Sequence, residues 1–339
     1  MSSSSRTRIS LLFDGYTALQ ILRAAQASGT KLPRSRLRTP PARTPTQEEV
    51  LAAIAKVEAA FPDLQLARPV RILVAGPIRY WPSDLCTSRT CSVTLSEGSF
   101  LRVCGGVYVP SPELCFMREA AHSENEASLL ELGFELCGSY RTRRSCENPS
   151  YQVHPLTTVR KLSNYAKLNA SANGAKKAAR ATQWIADNSA SPREAQLAIV
   201  LGLPCSQGGG GLGTPWMNYK VEASRKAQLI SGRRFFLCDL CWPEAKLDVE
   251  YQSREMHQGE AARVSDSQRT KALKSMEWDV TEVTNVDFDS STSMEVIVST
   301  LRKSLGKDSR IRTKGYHERT LQLRMQLGLP LDSWRMWDE

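Results

Sequence analysis

The spacing of hydrophobic residues follows a helical period in some segments of the chain and a strand period in others. Helical spacing marks the later part of 9–29, then 48–60, 111–136, 156–187 (with Gly174 as a break) and 267–276. Short runs rich in β-branched residues and punctuated by glycine predict strands at 70–76 and 91–109. The chain is therefore expected to fold as a mixture of helices and strands.

The segment that begins near residue 189 has the order of a compact α/β domain. Ser191 and Glu194 have the spacing of a capping box at the start of a helix. Two or three strands joined by tight turns follow over 221–253. The elements expected after them are the helix at 267–276, a strand at Asp279–Thr284 and a closing helix at Ser293–Leu305.

Composition and pattern together divide the chain into five segments. They are a basic N-terminal arm and linker (1–47), a mixed α/β domain (48–155), a basic helical connector (156–188), an α/β domain (189–306) and a helical tail (307–339). The glycine run 208–213 lacks the Gly-Lys-Ser/Thr ending of a phosphate-binding loop, so we interpret it as a flexible loop. Leu321, Met325 and Leu327 predict an amphipathic docking helix in the tail.

The formal charge of +10, from 45 Lys and Arg against 35 Asp and Glu, is unevenly distributed. Residues 1–47 carry eight basic residues and one acid, Asp14, and residues 141–180 carry nine basic residues and one acid, Glu147. Residues 191–306 are close to neutral, with fourteen basic and fifteen acidic side chains. This distribution suits a protein that holds a polyanion with one part and a metal ion with the acids of another.

Cysteine usage and hydropathy point to a cytoplasmic protein. Nine cysteines are too few for a disulfide scaffold, and their number is odd. No run of eighteen apolar residues predicts a membrane span, and residues 1–8 lack the apolar region of a secretory signal. The pair Cys238 and Cys241 invites a zinc interpretation, but residues three apart on a strand point to opposite faces.

The candidate chemistry lies in acids of one predicted hairpin. Residues 247–251 alternate with period two, so Asp248 and Glu250 share one face of a strand. Asp239 precedes a turn of suitable length and is expected opposite Glu250. Two carboxylates so close would repel, and a hard divalent cation such as Mg²⁺ or Mn²⁺ removes that cost. The alternative is an exposed hairpin face with solvated acids.

Residues 189–305 resemble the very-short-patch-repair (Vsr) type endonuclease domains of the PD-(D/E)XK superfamily, which occur in many actinobacterial proteins. The resemblance rests on "SASPREAQLAIVLGLP", "CDLCWPEAKLDVEYQS", a downstream His257 and "DSQRTKALKSMEWDVTEVT", in the family's order. It covers about a third of the chain and implies a restriction-endonuclease-like mixed sheet flanked by helices. The N-terminal half, with "VYVPSPELCFMREA" and "GFELCGSY", faintly resembles type IV antitoxin regulators.

By position, the resemblance implies a role for five residues. Asp239 and Glu250 match the metal-binding acids, Glu194 matches an acid of the first helix, His257 matches a catalytic histidine and Asp266 matches a late acid near the site. Each has a structural alternative: Glu194 belongs to a capping box, Asp266 could cap the 267–276 helix, and His257 could be a solvent-exposed loop residue.

Two positions depart from the family pattern. Gln252 stands where the superfamily has a lysine and close relatives have an aspartate, and Glu277 stands where a glycine precedes Trp278. Without that lysine or aspartate, activation of water would depend on His257 or on the metal alone.

Basic residues on the predicted helices are candidates for contact with nucleic acid. They are Arg160, Lys161, Lys167, Lys176, Lys177, Arg180, Arg269 and Lys271, each of which could instead be a solvated helix charge. The leading hypothesis is a Mg²⁺-dependent DNA endonuclease, with DNA repair or defence against phages and plasmids as its setting. A DNA-binding regulator of the antitoxin kind that has lost the chemistry is the alternative, and a protein-interaction module is a third class.

Overall fold

The structure is a computed structural model that describes residues 10–76, 84–143, 149–252 and 260–331, with the side chains of 260–263 excepted. Helices and strands both occur in these residues, which confirms the mixed α/β class predicted from the sequence. Among the helices described within these ranges, none is both long enough and apolar enough to cross a membrane.

The helices of the described residues are, in chain order, α1 (Gly15–Ala27), α2 (Gln47–Ala60), α3 (Pro112–His122), α4 (Glu126–Cys137), α5 (Val159–Leu168), α6 (Ala175–Ala181), α7 (Pro192–Gly202), α8 (Arg225–Ser231), α9 (Glu260–Lys274), α10 (Asn285–Asp289), α11 (Ser291–Ser304) and α12 (Tyr316–Gln326). The strands are β1 (Leu11–Leu12), β2 (Val70–Val74), β3 (Cys86–Thr90), β4 (Phe100–Cys104), β5 (Val107–Pro110), β6 (Tyr140–Arg141), β7 (Ser150–Tyr151), β8 (Trp216–Glu222), β9 (Phe235–Trp242), β10 (Leu247–Gln252) and β11 (Asp279–Thr284).

The chain forms two compact units. The first comprises Met1–Glu124 and Tyr140–Thr182, and the second comprises Asn125–Ser139 and Gln183–Glu339. Helix α4 therefore belongs to the second unit, and the predicted helical stretch 111–136 is two helices rather than one.

The first unit contains a three-stranded sheet in the order β1-β5-β4 and a parallel pair, β2 and β3. The carboxylate of Asp14, fully buried, accepts hydrogen bonds from Arg118 of α3 at 2.8–3.0 Å. The single acid of the basic N-terminal segment thus forms a buried ion pair inside the unit.

The prediction of an arm and linker over 1–47 was wrong for 11–25, which lie largely buried in the first unit. Residues 31–46 are mostly exposed, as a linker would be, but they are tied to the first unit. The amide of Ser35 donates to the carbonyl of Phe100, and the amide of Arg102 donates to the carbonyl of Pro33. Residues 33–35 thus bond to the outer edge of β4, the side away from its partner β5, because the backbone groups on that edge are not paired within the sheet.

The break predicted at Gly174 separates α5 from α6. Gly174 has a φ of 88°, and a Cβ there would lie 2.3 Å from the carbonyl oxygen of Met117. Glycine is required both by the left-handed backbone and by this close approach of two backbones.

The second unit is built on a four-stranded mixed sheet in the order β11-β10-β9-β8. β8 pairs antiparallel with β9, β9 pairs antiparallel with β10, and β10 pairs parallel with β11. A parallel pair needs a crossover, and α9 is the helix that makes it. Ser191 caps α7 as predicted, through a hydrogen bond from the amide of Glu194.

An apolar cluster covers one face of this sheet. Its buried members are Val221, Ala223, Ala227, Phe236, Cys238, Cys241, Ala272, Leu273 and Trp278. The cluster includes residues of α8 and α9, so these two helices pack on the same face. Helix α8 is an element that the sequence pattern did not predict.

The glycine run is packed and hydrogen-bonded, so its interpretation as a flexible loop was wrong. Gly209, Gly210 and Gly211 donate their amides to the carbonyls of Pro204, Val200 and Leu203 in turn. A Cβ at Gly208 or Gly209 would lie 2.3 Å from a backbone carbonyl oxygen, of Arg319 and Leu203 respectively, so side chains would not fit at these two positions.

Helix α12 docks in the second unit, but the predicted apolar stripe was partly wrong. Leu323 and Leu327 are buried, whereas Met325 is 58% exposed. Arg324, 1% exposed, donates to the carbonyls of Phe288 and Asp289.

Candidate functional site

The hairpin of β9 and β10 brings the predicted acids together. Its register pairs Leu247 with Trp242 and Val249 with Leu240. The regular pairing ends there, and one further step in the same register would place Asp239 opposite Glu250, the pairing predicted from the sequence. At this point a side chain replaces the backbone as hydrogen-bond acceptor, because Oδ2 of Asp239 accepts the amide of Tyr251 at 3.0 Å. The Asp239 side chain is therefore fixed at the point where the two strands separate.

The alternation of side chains in β9 is interrupted near Asp239. Cys238 and Cys241 both belong to the apolar cluster, although residues three apart on a regular strand point to opposite faces. On the neighbouring strand, Asn218 has a φ of 47°, a backbone conformation that asparagine tolerates better than most residues. The thiols of Cys238 and Cys241 are hydrogen-bonded to each other, so the expectation that the two side chains point to opposite faces was wrong.

A buried arginine of α9 reaches the face of β10 that carries the acids. Nη2 of Arg269 lies 2.5 Å from Oε1 of Glu250 and 4.0 Å from Oδ2 of Asp248. The same nitrogen donates to the carbonyl of Leu237. Arg269, predicted as a DNA contact, is thus engaged inside the protein with its side chain only 16% exposed.

Glu194 lies at the start of α7 and is held by three donors. Its carboxylate accepts the amide of Ala190 at 3.0 Å, the hydroxyl of Ser191 at 2.9 Å and the side-chain amide of Asn218 at 3.1 Å. Burial raises the pKa of Glu194, the three hydrogen bonds oppose that shift, and the carboxylate of Glu250 adds to it. Glu194 therefore stabilises the start of α7 and also interacts electrostatically with Glu250 of the hairpin.

Asp239 is electrostatically coupled to both other acids. Burial raises the pKa of Asp239, and the carboxylates of Glu250 and Glu194 raise it further. The amide of Tyr251 and the more distant Arg269 oppose the shift and are outweighed. Three acids from α7, β9 and β10 thus influence one another in a region where Arg269 pairs directly with Glu250.

Asp248 is the least satisfied of these acids. It is fully buried, and neither carboxyl oxygen has a hydrogen-bond partner among the described residues. Burial raises the pKa of Asp248, and the neighbouring Glu250 raises it further. A buried polar group without a partner is costly, so its retention calls for a reason.

A thiol completes a second group of possible ligands. Three possible ligand atoms lie within 4.8 Å of one another: the sulfur of Cys238 and one carboxylate oxygen each from Asp248 and Glu250. The thiol is free and fully buried, and the neighbouring Cys241, together with burial, raises the pKa of Cys238.

The other predicted site residues are not drawn into this region. Asp266 is exposed within α9, and because α9 begins at Glu260 it cannot cap the helix. Lys271 is also exposed, and Gln252 is exposed at the end of β10. His257 lies outside the described residues.

The basic residues of α5 and α6 lie in the first unit. Those with exposed side chains are Arg160, Lys161, Lys167, Lys176 and Arg180. Lys177 is half-buried and donates to the carbonyl of Ser123. Five of the six predicted cations are therefore available to solvent.

The sequence pattern did not predict that Cys238 and Asp248 would lie together with Glu250 in one group of possible metal ligands. The alternation of β10 correctly placed Asp248 beside Glu250, but nothing in the pattern indicated that Asp248 would be buried. The signal that could have drawn attention to it is an aspartate in a strand where Leu247 and Val249 on either side are apolar.

Comparison with known proteins gives no relative: no family model, no curated protein and no solved structure matches this chain.

Proposed function

We propose that the second unit is a metal-dependent phosphodiesterase acting on DNA, with Asp239 and Glu250 as metal ligands. The observation that carries the proposal is the convergence of Glu194, Asp239 and Glu250 from three separate elements, where the carboxylate of Glu250 raises the pKa of both other acids. The order of α7, β8, the short helix α8, the β9–β10 hairpin, α9 and the parallel strand β11 supports it, because the resembled family has its motifs on a helix, a hairpin, a helix and a strand in that order.

The carboxylates of Asp239 and Glu250 are of the kind that a hard dication such as Mg²⁺ or Mn²⁺ binds, although the close group of ligand atoms in the described residues joins Glu250 to Cys238 and Asp248 rather than to Asp239. Carboxylate oxygens are the ligands such ions prefer, and a dication would offset the repulsion that now raises the pKa of Asp239. When bound, the ion would polarise the phosphate and lower the pKa of an attacking water. Asp239 is oriented by the amide of Tyr251, and Glu194 by its three donors, so both are preorganised.

A non-catalytic DNA-binding regulator is the second candidate, and one contact favours it. Arg269 already neutralises Glu250 with a direct ion pair, and the position expected to assist catalysis is Gln252. A protein that had lost the metal would be expected to fill the charge deficit in this way.

Plasmid cleavage distinguishes the two candidates. The protein is incubated with supercoiled plasmid and Mg²⁺ or Mn²⁺, beside the variants Asp239→Asn, Glu250→Gln and Glu222→Gln. Glu222 is an exposed acid at the end of β8 in the same sheet and serves as the matched control. We expect nicking that both site variants lose and the control retains.

Cleavage that survives both site substitutions would show a contaminating nuclease and refute the proposal. Salt-sensitive retention of DNA without cleavage by any form of the protein would favour the regulator.

A further inference from the structure

We infer that Cys238, Asp248 and Glu250 form a binding site for a borderline transition-metal dication, represented by Zn²⁺. The three ligand atoms, one sulfur and two carboxylate oxygens, lie within 4.8 Å of one another. The group shares Glu250 with the proposed nuclease centre but includes neither Asp239 nor Glu194. It stands or falls independently of the nuclease proposal.

The unpartnered carboxylate of Asp248 is the observation that points to a ligand. Asp248 is 0% exposed, and neither of its oxygens accepts a hydrogen bond from a described residue outside the group. The groups within hydrogen-bonding reach of its carboxyl are the other two proposed ligands, Glu250 and Cys238. The nearest positive charge, Nη2 of Arg269, is 4.0 Å away and is bonded to Glu250 instead. A cation bound among the three ligands would satisfy the oxygens of Asp248 directly.

The donor set selects the class of metal. Mg²⁺ and Ca²⁺ take oxygen ligands almost without exception, whereas a thiolate beside carboxylates suits Zn²⁺ and its neighbours in the first transition row. Zinc bonds are about 2.3 Å to sulfur and about 2.0–2.2 Å to oxygen, so at the tetrahedral angle two ligands on one ion are about 3.4–3.6 Å apart. A small inward movement of these side chains would bring them to that spacing.

Arg269 marks the accessible side of the site. The side chains of Glu250 and Arg269 are 13% and 16% exposed, whereas Cys238 and Asp248 are fully buried. An ion therefore enters past Glu250 and displaces the guanidinium from it. Removal of that competing cation in Arg269→Gln is expected to tighten metal binding.

Cobalt substitution tests the site through the metal itself. Titration of the full chain with Co²⁺ is expected to give a sulfur-to-cobalt charge-transfer absorption at one ion per chain, which Zn²⁺ abolishes. Cys238→Ala should lose this absorption. Cys115→Ala, which removes a buried thiol of α3 in the first unit, should keep it.

A second measurement does not depend on the thiol variant folding. Asp248→Asn keeps the side-chain shape and should weaken Zn²⁺ binding, followed by calorimetry, by more than about ten-fold. Asp239→Asn should abolish plasmid cleavage and leave the cobalt absorption unchanged, so failure of this site and failure of the nuclease are distinguishable. An absorption that persists in Cys238→Ala, or Zn²⁺ affinity unchanged in Asp248→Asn, would overturn the inference.

Discussion

At the scale of single residues, Asp248 shows what a buried acid costs when nothing binds to it. Burial raises its pKa well above the usual range for a carboxyl group, with Glu250 contributing to the shift. In the unfolded chain the same group ionises near a pKa of about 4. Between those two values the folded state binds more protons, so the free energy of unfolding falls as pH rises.

We therefore predict that Asp248→Val stabilises the metal-free protein. The variant removes an unsatisfied polar group and should raise the free energy of unfolding by about 1–3 kcal/mol at pH 8. The gain should shrink as pH falls toward the ordinary carboxyl pKa, because the wild-type penalty for keeping the proton disappears there. Urea unfolding at several pH values in the presence of a chelator measures both effects.

A variant less stable than the wild type at pH 8 would mean that Asp248 has a stabilising partner after all. The same substitution should remove the stabilisation that Zn²⁺ gives the wild type. Stability measured without metal and with Zn²⁺ thus distinguishes a residue that is retained for metal binding from one that is retained for folding.

The residue scale is also where the sequence predicted the site only in part. Alternation in β10 correctly placed Asp248 and Glu250 on one face. It could not predict that Arg269 would pair with Glu250, since that contact joins residues nineteen apart through a crossover. Glu277, which replaces an expected glycine, has a φ of 67°, so the left-handed backbone typical of glycine is present without glycine.

At the scale of elements, the sequence predicted the ends of helices and strands correctly where the local signal was strong. Ser191 caps α7 as its spacing to Glu194 predicted, and the strand predicted at Asp279–Thr284 matches β11. Helix α8, of seven residues, was missed because so short a segment leaves little periodic pattern. The prediction for the glycine run was wrong because composition alone does not distinguish mobility from close packing.

The packed glycine run leads to a second prediction. A Cβ at Gly209 would lie 2.3 Å from the carbonyl oxygen of Leu203 and 2.5 Å from its Cβ. Gly209→Ala should therefore lower the free energy of unfolding by about 1–3 kcal/mol. Gly105→Ala is the matched control, because nothing lies within 4 Å of a Cβ there and φ is not positive. Thermal unfolding of both variants makes the comparison.

Equal stability of the two alanine variants would show that the loop yields to a side chain, as a flexible loop does. A selective loss of stability at Gly209 would instead mean that the run is an extension of the α7 packing. It would also explain the four consecutive glycines at 208–211 without a ligand.

At the scale of the whole molecule, the two units have opposite formal charge. The first contains 24 Lys and Arg against 11 Asp and Glu, or +13, and the second contains 21 against 24, or −3. The excess of positive charge therefore lies in the first unit, which does not contain the acids of the candidate site. Binding of a polyanion and chemistry on it are predicted to reside in different units.

This division predicts where substitutions weaken DNA binding. Arg160, Lys161 and Lys167 of α5 are exposed, and their replacement by alanine should reduce the dependence of log affinity on log salt by about one for each phosphate that is no longer bound. The matched control replaces Arg225, Lys226 and Lys303, three exposed bases of the second unit, by alanine. Fluorescence anisotropy with a labelled duplex over a range of salt concentrations measures the slope.

The control has the same net charge as the α5 variant, so it separates a defined binding surface from a general attraction to DNA. A smaller slope in the α5 variant alone means that phosphates lie along α5. Equal slopes in the two variants would mean that DNA follows the overall charge, and the assignment of binding to the first unit would be wrong. Both variants leave Asp239 and Glu250 intact, so any decrease in plasmid cleavage by the α5 variant should be recovered at low salt, where nonspecific binding is tighter.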